Sequence, residues 1–426
     1  MIAILGVGTF VLLLLIGVPI LFVLAAVCFI YFEMKGVPTM MVLQRMFVGL
    51  DQFIILAVPM FILAGKLMET GGTLRRLINL AMVLLGHVRG GLAQVNVAAS
   101  MFFSGITGAA TADVAALGPL EIEMMKKGGY PADFATAVTI SSSVIGPIIP
   151  PSIPLVIYGV VASTSIGALF LAGILPGLLM GGGLMVLIWA LTWKFNVTPQ
   201  RRAPLSEMLK ALRASIGPLG LPLIIVVGIY GGFFTPTEAA AVASLYAFIL
   251  GMFVYRELKW EHLPKILLES ALITAASLSI LAVSNVLSWI FSVELLPNKL
   301  AAFMLSISDN VYLLLFFINV GLLLLGCVME TLAAIVITVP IFLPIVTQLG
   351  VDPVHFGVVM AVNLTLGLLT PPLGLNLYIA SAITGLRIER IALVNMPFLG
   401  LLIFVLFIIT YFPQISLFLP NLLMGY

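Results

Sequence analysis

The chain has 426 residues, 62% of them hydrophobic and only 8% charged, with a formal net charge of +2. Soluble domains carry roughly 25% charged residues, so this composition excludes a soluble enzyme. The few cations are scattered at the ends of apolar segments, which leaves no basic face for nucleic acid and no such partner is expected. Cys28 and Cys327 lie far apart in apolar runs, so no disulfide framework is implied.

A membrane-spanning helix needs about 20 apolar residues. Residues 2–31 supply them, bent at Pro19; the run has no basic flank and is too long for the apolar part of a secretion leader, so it reads as a retained span. Residues 53–68 form the next. Residues 73–88 carry Arg75, Arg76 and His87, with Arg89 next to them, around an apolar stripe, the pattern of a helix lying at the interface. Residues 92–127 hold S-G-I-T-G-A where a spanning helix would hold leucine, and read as a re-entrant hairpin. Residues 132–162 form a span broken at G-P-I-I-P-P. Residues 167–193 are a plain span, 206–213 a short interfacial helix, and 216–233, 239–255 and 266–291 further spans. Residues 295–308 make a second interfacial arm. A second hairpin over 310–347 centres on G-C-V-M-E-T, and a second broken span covers 355–384 with its break at G-L-L-T-P-P-L-G. Residues 391–412 are the last clear span, and the apolar tail after Pro413 lies flat or dips back. The expected fold is an all-α polytopic membrane protein seated in the bilayer.

The breaks organise the rest. A proline pair removes two amide donors and strips the preceding turn of its hydrogen bonds. Such a break at membrane depth is tolerated only inside protein or along a cavity. Pro150–Pro151 and Pro371–Pro372 are 371 − 150 = 221 residues apart, and the same offset relates Gly146 to Gly367, Gly105 to Gly326, Pro119 to Pro340 and Gly129 to Gly350. Landmarks in register at one long period predict two structural halves: residues 1–195 as the first repeat, 196–235 as a cytoplasmic loop with a connecting helix, and 236–426 as the second repeat. Lys194, Arg201, Arg202, Lys210 and Arg213 place the middle loop in the cytoplasm. Counting back puts Lys126 and Lys127 inside as well, yet their counterparts 221 residues on, Thr347 and Gln348, are uncharged. The bare turn at 165–168 instead corresponds to 386–389, with Arg387 and neighbouring Arg390. The charge bias swaps sides, as an inverted repeat requires.

Hairpin tips facing broken helices predict two related cation sites built of hydroxyls and backbone carbonyls. The first brings Ser104, Gly105 and Thr107 to Ser143, Gly146, Ile149 and Ser152. The second brings Gly326 and Thr331 to Thr365, Gly367, Thr370 and Leu373. Glycines and prolines that merely kink packed helices are the plainer explanation of any single break. Hydroxyls and carbonyls without clustered carboxylates or histidines favour Na⁺ over H⁺ as the coupled ion. Glu238, after T-P-T, reads as part of a helix cap. Asp113 and Glu330 either tune a site or bond backbone at a hairpin. The three histidines have no metal-ligand spacing, and no G-x-S-x-G, H-E-x-x-H or Walker pattern supports enzyme chemistry. Gly177 and Gly181 form a G-x-x-x-G face suited to a companion membrane helix.

The segments F-F-S-G-I-T-G-A-A-T-A-D at 102–113, G-P-I-I-P-P-S-I at 146–153, G-G-F-F-T-P-T-E-A-A-A-V-A at 231–243 and G-L-L-T-P-P-L-G-L-N-L at 367–377 together resemble the large membrane subunit of tripartite ATP-independent periplasmic (TRAP) transporters. The resemblance covers nearly the whole chain. It implies an elevator-type transporter of the ion-transporter superfamily kind, importing carboxylate solutes with sodium across the bacterial inner membrane. It also implies a small four-helix membrane subunit and a periplasmic substrate-binding protein as partners. The family's sodium sites map onto Gly326, Gly367, Thr370 and Leu373 and onto the mates around Thr107, Gly146 and Ile149. The first tip departs from the pattern in reading T-G-A-A, with fewer hydroxyls. Sialic acid, C4-dicarboxylates and sugar acids all remain open as cargo. A self-sufficient sodium/dicarboxylate symporter is the rival of similar design; an intramembrane enzyme and a passive channel are the rivals from other classes.

Overall fold

A computed structural model describes residues 8–10, 12, 13, 16–195, 197, 200–308, 310–371 and 373–425, without the side chains of residues 104–107, 304, 305 and 307. Regular structure among them is helical throughout. Residues 2–7 of the expected first span and Pro372 of the second break lie outside the described residues.

The chain after Pro19 enters α1 (Ile20–Lys35), then α2 (Met40–Leu50) and α3 (Ala57–Thr70). The interfacial arm is α4 (Thr73–Leu85). The first hairpin is α5 (Gly91–Thr107) and α6 (Ala110–Lys127), and the first broken helix is α7 (Ala132–Ser143) with α8 (Ile153–Val161). After α9 (Ile166–Leu191) come α10 (Leu205–Tyr230), α11 (Pro236–Ile249), α12 (Leu263–Val293) and the second arm α13 (Leu296–Ile307). The second hairpin is α14 (Val311–Val328) and α15 (Thr331–Gln348), the second broken helix α16 (Pro353–Gly367) with α17 (Leu375–Thr384). The chain ends in α18 (Ile388–Tyr411) and α19 (Pro413–Met424). Helix starts after the two hairpin turns are 331 − 110 = 221 residues apart, and those opening the broken helices 353 − 132 = 221.

Among the described residues, eight helices are long and apolar enough to cross a membrane, α14 and α15 among them. At 1.5 Å per residue these two arms reach about 27 Å, longer than a shallow dip. Sequence and structure differ most at 205–230. The interfacial helix expected at 206–213 and the span at 216–233 form one helix, because no breaker separates them and the change at 214 is in polarity, not in helical period. Pro218 and Pro222 sit inside it.

Local chemistry sets the helix starts. Thr235 and Glu238 form a capping box on α11, with Thr235 N and Oγ1 both donating to Glu238 Oε2, at 2.8 and 2.9 Å. Asp352 Oδ1 accepts from Val354 N and His355 N at 2.8 and 3.1 Å, and Pro353 supplies a first-turn residue with no amide to satisfy.

Helix α3 packs on α11 and α12, and α12 also touches α1, α2 and α15. In the broken helices, α16 after Pro353 and nearly all of α7 and α8 are buried, whereas α17 buries only Asn376, Leu377 and Ala380. The G-x-x-x-G face does not lie open for a companion helix. A side chain at Gly177 would run into Ile149, and one at Gly181 into Met101. Those glycines let α9 approach the first break and the first hairpin of its own chain.

Candidate functional site

At the first break α7 ends at Ser143 and the chain turns through short-range bonds, Gly146 N donating to Ser143 O at 3.1 Å and Ile148 N to Ile145 O at 3.0 Å. The Pro150–Pro151 peptide is cis. Ser152 then caps α8: its Oγ accepts from Leu155 N at 3.2 Å and donates to the Pro147 carbonyl across the break. The first hairpin turn sits against this loop. Gly108 has φ +61°, and a Cβ there would lie 3.0 Å from Ile153 N and 3.4 Å from Pro151 O. Asp113, one turn into α6, is buried and places Oδ2 against Gly146, where a Cβ would overlap it.

At the second break Leu368 N, Leu369 N and Thr370 N bond back to Thr365, Leu366 and Gly367 carbonyls at 3.2, 3.0 and 2.9 Å. Gly374, just ahead of α17, has φ +59°. Only glycine takes that conformation without cost. Gly374 N donates to Cys327 O at 3.1 Å, and Asn376 N to Leu368 O at 3.1 Å, so the second hairpin turn closes the loop. Gly326 and Gly367 meet backbone to backbone; a Cβ on either would overlap the other segment. Thr370 Oγ1 donates to Leu366 O at 3.0 Å. Thr331, the first residue of α15, is 3% exposed, and its Oγ1 has no hydrogen-bond partner among the described residues.

The two breaks meet. Asn376 Nδ2, from the start of α17, donates to Ser143 Oγ at 3.1 Å, and Ser143 Oγ donates to Ile140 O at 2.8 Å. Asn376 Oδ1 is buried and unpartnered among the described residues.

Sequence-predicted residues therefore fall into three groups. Ser143, Gly146, Ile149 and Ser152 line one loop; Gly326, Gly367 and Thr370 converge at the other, with Thr331 on the adjoining helix. Thr365 is directed elsewhere, its hydroxyl held by Ala361 O and Val362 O of its own helix at 2.8 Å each. Leu373, 40% exposed, offers only backbone. Ser104, Gly105 and Thr107 sit on the last turns of α5, and their side chains lie outside the described part. Glu330 bonds backbone, accepting from Leu332 N at 3.2 Å as the cap of α15.

Sequence reasoning placed Gly108 within the T-G-A-A tip without naming its positive φ, and did not single out Asn376 as the join or Lys66 in α3. Only Gly108 had a readable cue, since a glycine at a predicted hairpin turn suits positive φ. A cavity of about 440 Å³ opens between the hairpin turns (Ala109, Thr111, Glu330) and the α3–α12 pair (Lys66, Glu69, Ser277).

Residues 7–415 match the family described as the tripartite ATP-independent periplasmic transporter, DctM component. The chain is 45% identical over 383 residues to the sialic acid TRAP transporter large permease protein SiaM of Vibrio cholerae, covering 90% of each chain. It is 41% identical to the C4-dicarboxylate TRAP transporter large permease protein DctM of Pseudomonas aeruginosa, covering 88% of each. It is 42% identical to the isethionate TRAP transporter permease protein DctMQ of Oleidesulfovibrio alaskensis, covering 96% of this chain and 65% of that one. Among solved structures, the Alcanivorax borkumensis YdaH transporter shares the fold with a TM-score of 0.65 at 16% identity, over 88% of this chain and 87% of that one. Paired breaks, facing hairpins and near-complete coverage lead to one assignment: the chain belongs to the DctM family, the large permease subunits of TRAP transporters.

Proposed function

We propose that the chain is the transporting subunit of a sodium-coupled importer in the bacterial inner membrane, moving a carboxylate-bearing solute of the sialic acid, C4-dicarboxylate or sugar-acid kind. The observation that carries this reading is the paired geometry. Two helix breaks are each faced by a hairpin turn and joined through Asn376 and Ser143. One sodium ion sits at the second break, held by carbonyls of Gly326, Gly367 and Leu373 with the Thr370 hydroxyl, and the orphaned Thr331 hydroxyl supports that place. A second sits at the first break, among Ser104, Gly105, Thr107, Ser143, Gly146, Ile149 and Ser152.

Hairpins and broken helices travel together as an elevator against α1–α3 and α10–α13. The two halves are inverted repeats, a reading supported by the shared offset of helix starts and by the swapped charge bias. Inside-negative potential drives the cycle: two Na⁺ with a monocarboxylate carry one net charge inward, worth ~2.3 kcal/mol per 100 mV. A small four-helix membrane subunit completes the static wall, and a periplasmic binding protein delivers the solute.

The test is reconstitution. Liposomes holding the chain alone, given free N-acetylneuraminate or succinate with sodium, are expected to show little uptake. Adding the small subunit and the loaded binding protein is expected to restore it. Robust uptake by the lone chain would assign it to the self-sufficient symporters instead.

A further inference from the structure

The cavity between the hairpin turns has an uneven charge. Among the residues lining it, Lys66 is the one cation, facing the carboxylates of Glu69 and Glu330. Lys66 Nζ is 2.9 Å from Glu69 Oε2 and 3.5 Å from Glu269 Oε2, and its side chain is 23% exposed. An ammonium has three N–H donors. Two are used by these carboxylates, and the third is left for whatever occupies the space. The opposite wall offers the Glu330 carboxylate and the Thr111 hydroxyl, with the Ser277 hydroxyl on the α12 side.

We infer that this cavity is selective for a polyhydroxylated monocarboxylate over a dicarboxylate, with Lys66 as the residue that takes the single carboxylate. The inference rests on the transport reading above and deepens it. One carboxylate can share the Lys66 ammonium. A second carboxylate, at the far end of a dicarboxylate, would meet the like charge of Glu330, and like charges at close range repel. Hydroxyl groups have the opposite preference, because they donate to Glu330 and exchange hydrogen bonds with Thr111 and Ser277. At about 440 Å³ the cavity falls within the range of small-ligand sites. Lys66 belongs to α3, outside the hairpins and broken helices, so it acts on cargo from the static side.

The experiment titrates the full chain in lipid nanodiscs with d-glucuronate and with succinate, reading thermal stabilisation with and without sodium. Glucuronate is expected to bind at least roughly tenfold more tightly than succinate, from the cost of one uncompensated like-charge contact. Lys66→Gln should lose that advantage and Lys66→Arg should keep most of it. Glu330→Gln should improve succinate binding, a gain that a merely structural role for Glu330 would not give. Equal or tighter binding of succinate, or unchanged selectivity in Lys66→Gln, would overturn the inference. Should Lys66→Gln fail to fold, Glu330→Gln decides by the same ratio. The sodium arm separates the two readings: stabilisation by sodium without anion selectivity breaks only this inference, whereas selectivity without any sodium effect breaks only the coupling proposed above.

Discussion

At the first break the chain closes on itself. Ser152 spans the gap by bonding both Pro147 O and Leu155 N, and the surrounding residues are buried. At the second break no side chain caps α17; the closure comes partly from another element, through Gly374 N to Cys327 O and the glycine contact between 326 and 367. There Thr370 is partly exposed and Leu373 is 40% exposed. Two loops of similar sequence thus have different dependencies. The first break is bridged by a side chain of its own segment, and the second by a backbone bond of its own segment, Asn376 N to Leu368 O, together with contacts to the second hairpin. An ion at the second break would therefore report hairpin position, which is the property a coupled transporter needs.

The sharpest way to break the comparison is topological. In a chain whose Cys28 and Cys327 have been replaced, single cysteines at 126 and 387 should resist an impermeant thiol reagent outside spheroplasts, and one at 348 should react. Under the 221-residue offset 126 corresponds to 347 and 387 to 166, so only inversion puts 126 and 387 on one face and 348 on the other. Labelling of 387 from outside would remove the inverted relation between the loops.

Packing comes next. Gly367→Ala or Gly326→Ala forces a methyl group into facing backbone and is expected to destabilise the protein by about 1–3 kcal/mol and abolish sodium-dependent uptake. Gly321→Ala in the same hairpin, where a Cβ meets open space, should be tolerated. Thermal unfolding with uptake of the complete system measures both; equal effects at 321 and 367 would mean the glycine contact is incidental.

Smaller effects distinguish hydroxyls. Thr370→Val keeps shape and removes one proposed ligand oxygen; if that oxygen holds the ion, the loss is about 1.5 kcal/mol for a bond to a charged group, or roughly tenfold in the sodium concentration for half-maximal uptake. An unchanged sodium curve would make Thr370 structural. Ser152→Ala removes a cap and is expected to lower stability by about 1 kcal/mol, with a smaller shift in the sodium curve than Thr370→Val produces. A larger shift would reverse the ranking of the two sites.

Much of this was legible because prolines and glycines act locally. Both breaks fall where P-P and G-P put them, since a missing amide is a property of the residue itself, whereas the hairpin turns come after Gly105 and Gly326, which lie within the preceding helices. Glu238 was readable for the same reason, as a cap acts within one turn. What was not legible depended on partners distant in the chain. Nothing local distinguishes Asn376, which reaches Ser143 across 233 positions, from Asn363, which bonds Asn319. Gly177 and Gly181 show the converse: the small-residue face was visible, but not that its partner would be the chain's own Ile149 and Met101. Lys66 looked like an ordinary charge near a helix end until α12 brought Glu269 beside it.

The most direct test of the central claim is uptake of radiolabelled N-acetylneuraminate and succinate by the complete three-part system in proteoliposomes, under an inward sodium gradient alone and an inward proton gradient alone. Ion sites of carbonyls and hydroxyls predict concentrative uptake with the sodium gradient and none with the proton gradient in sodium-free buffer. Uptake driven by protons without sodium would contradict the account.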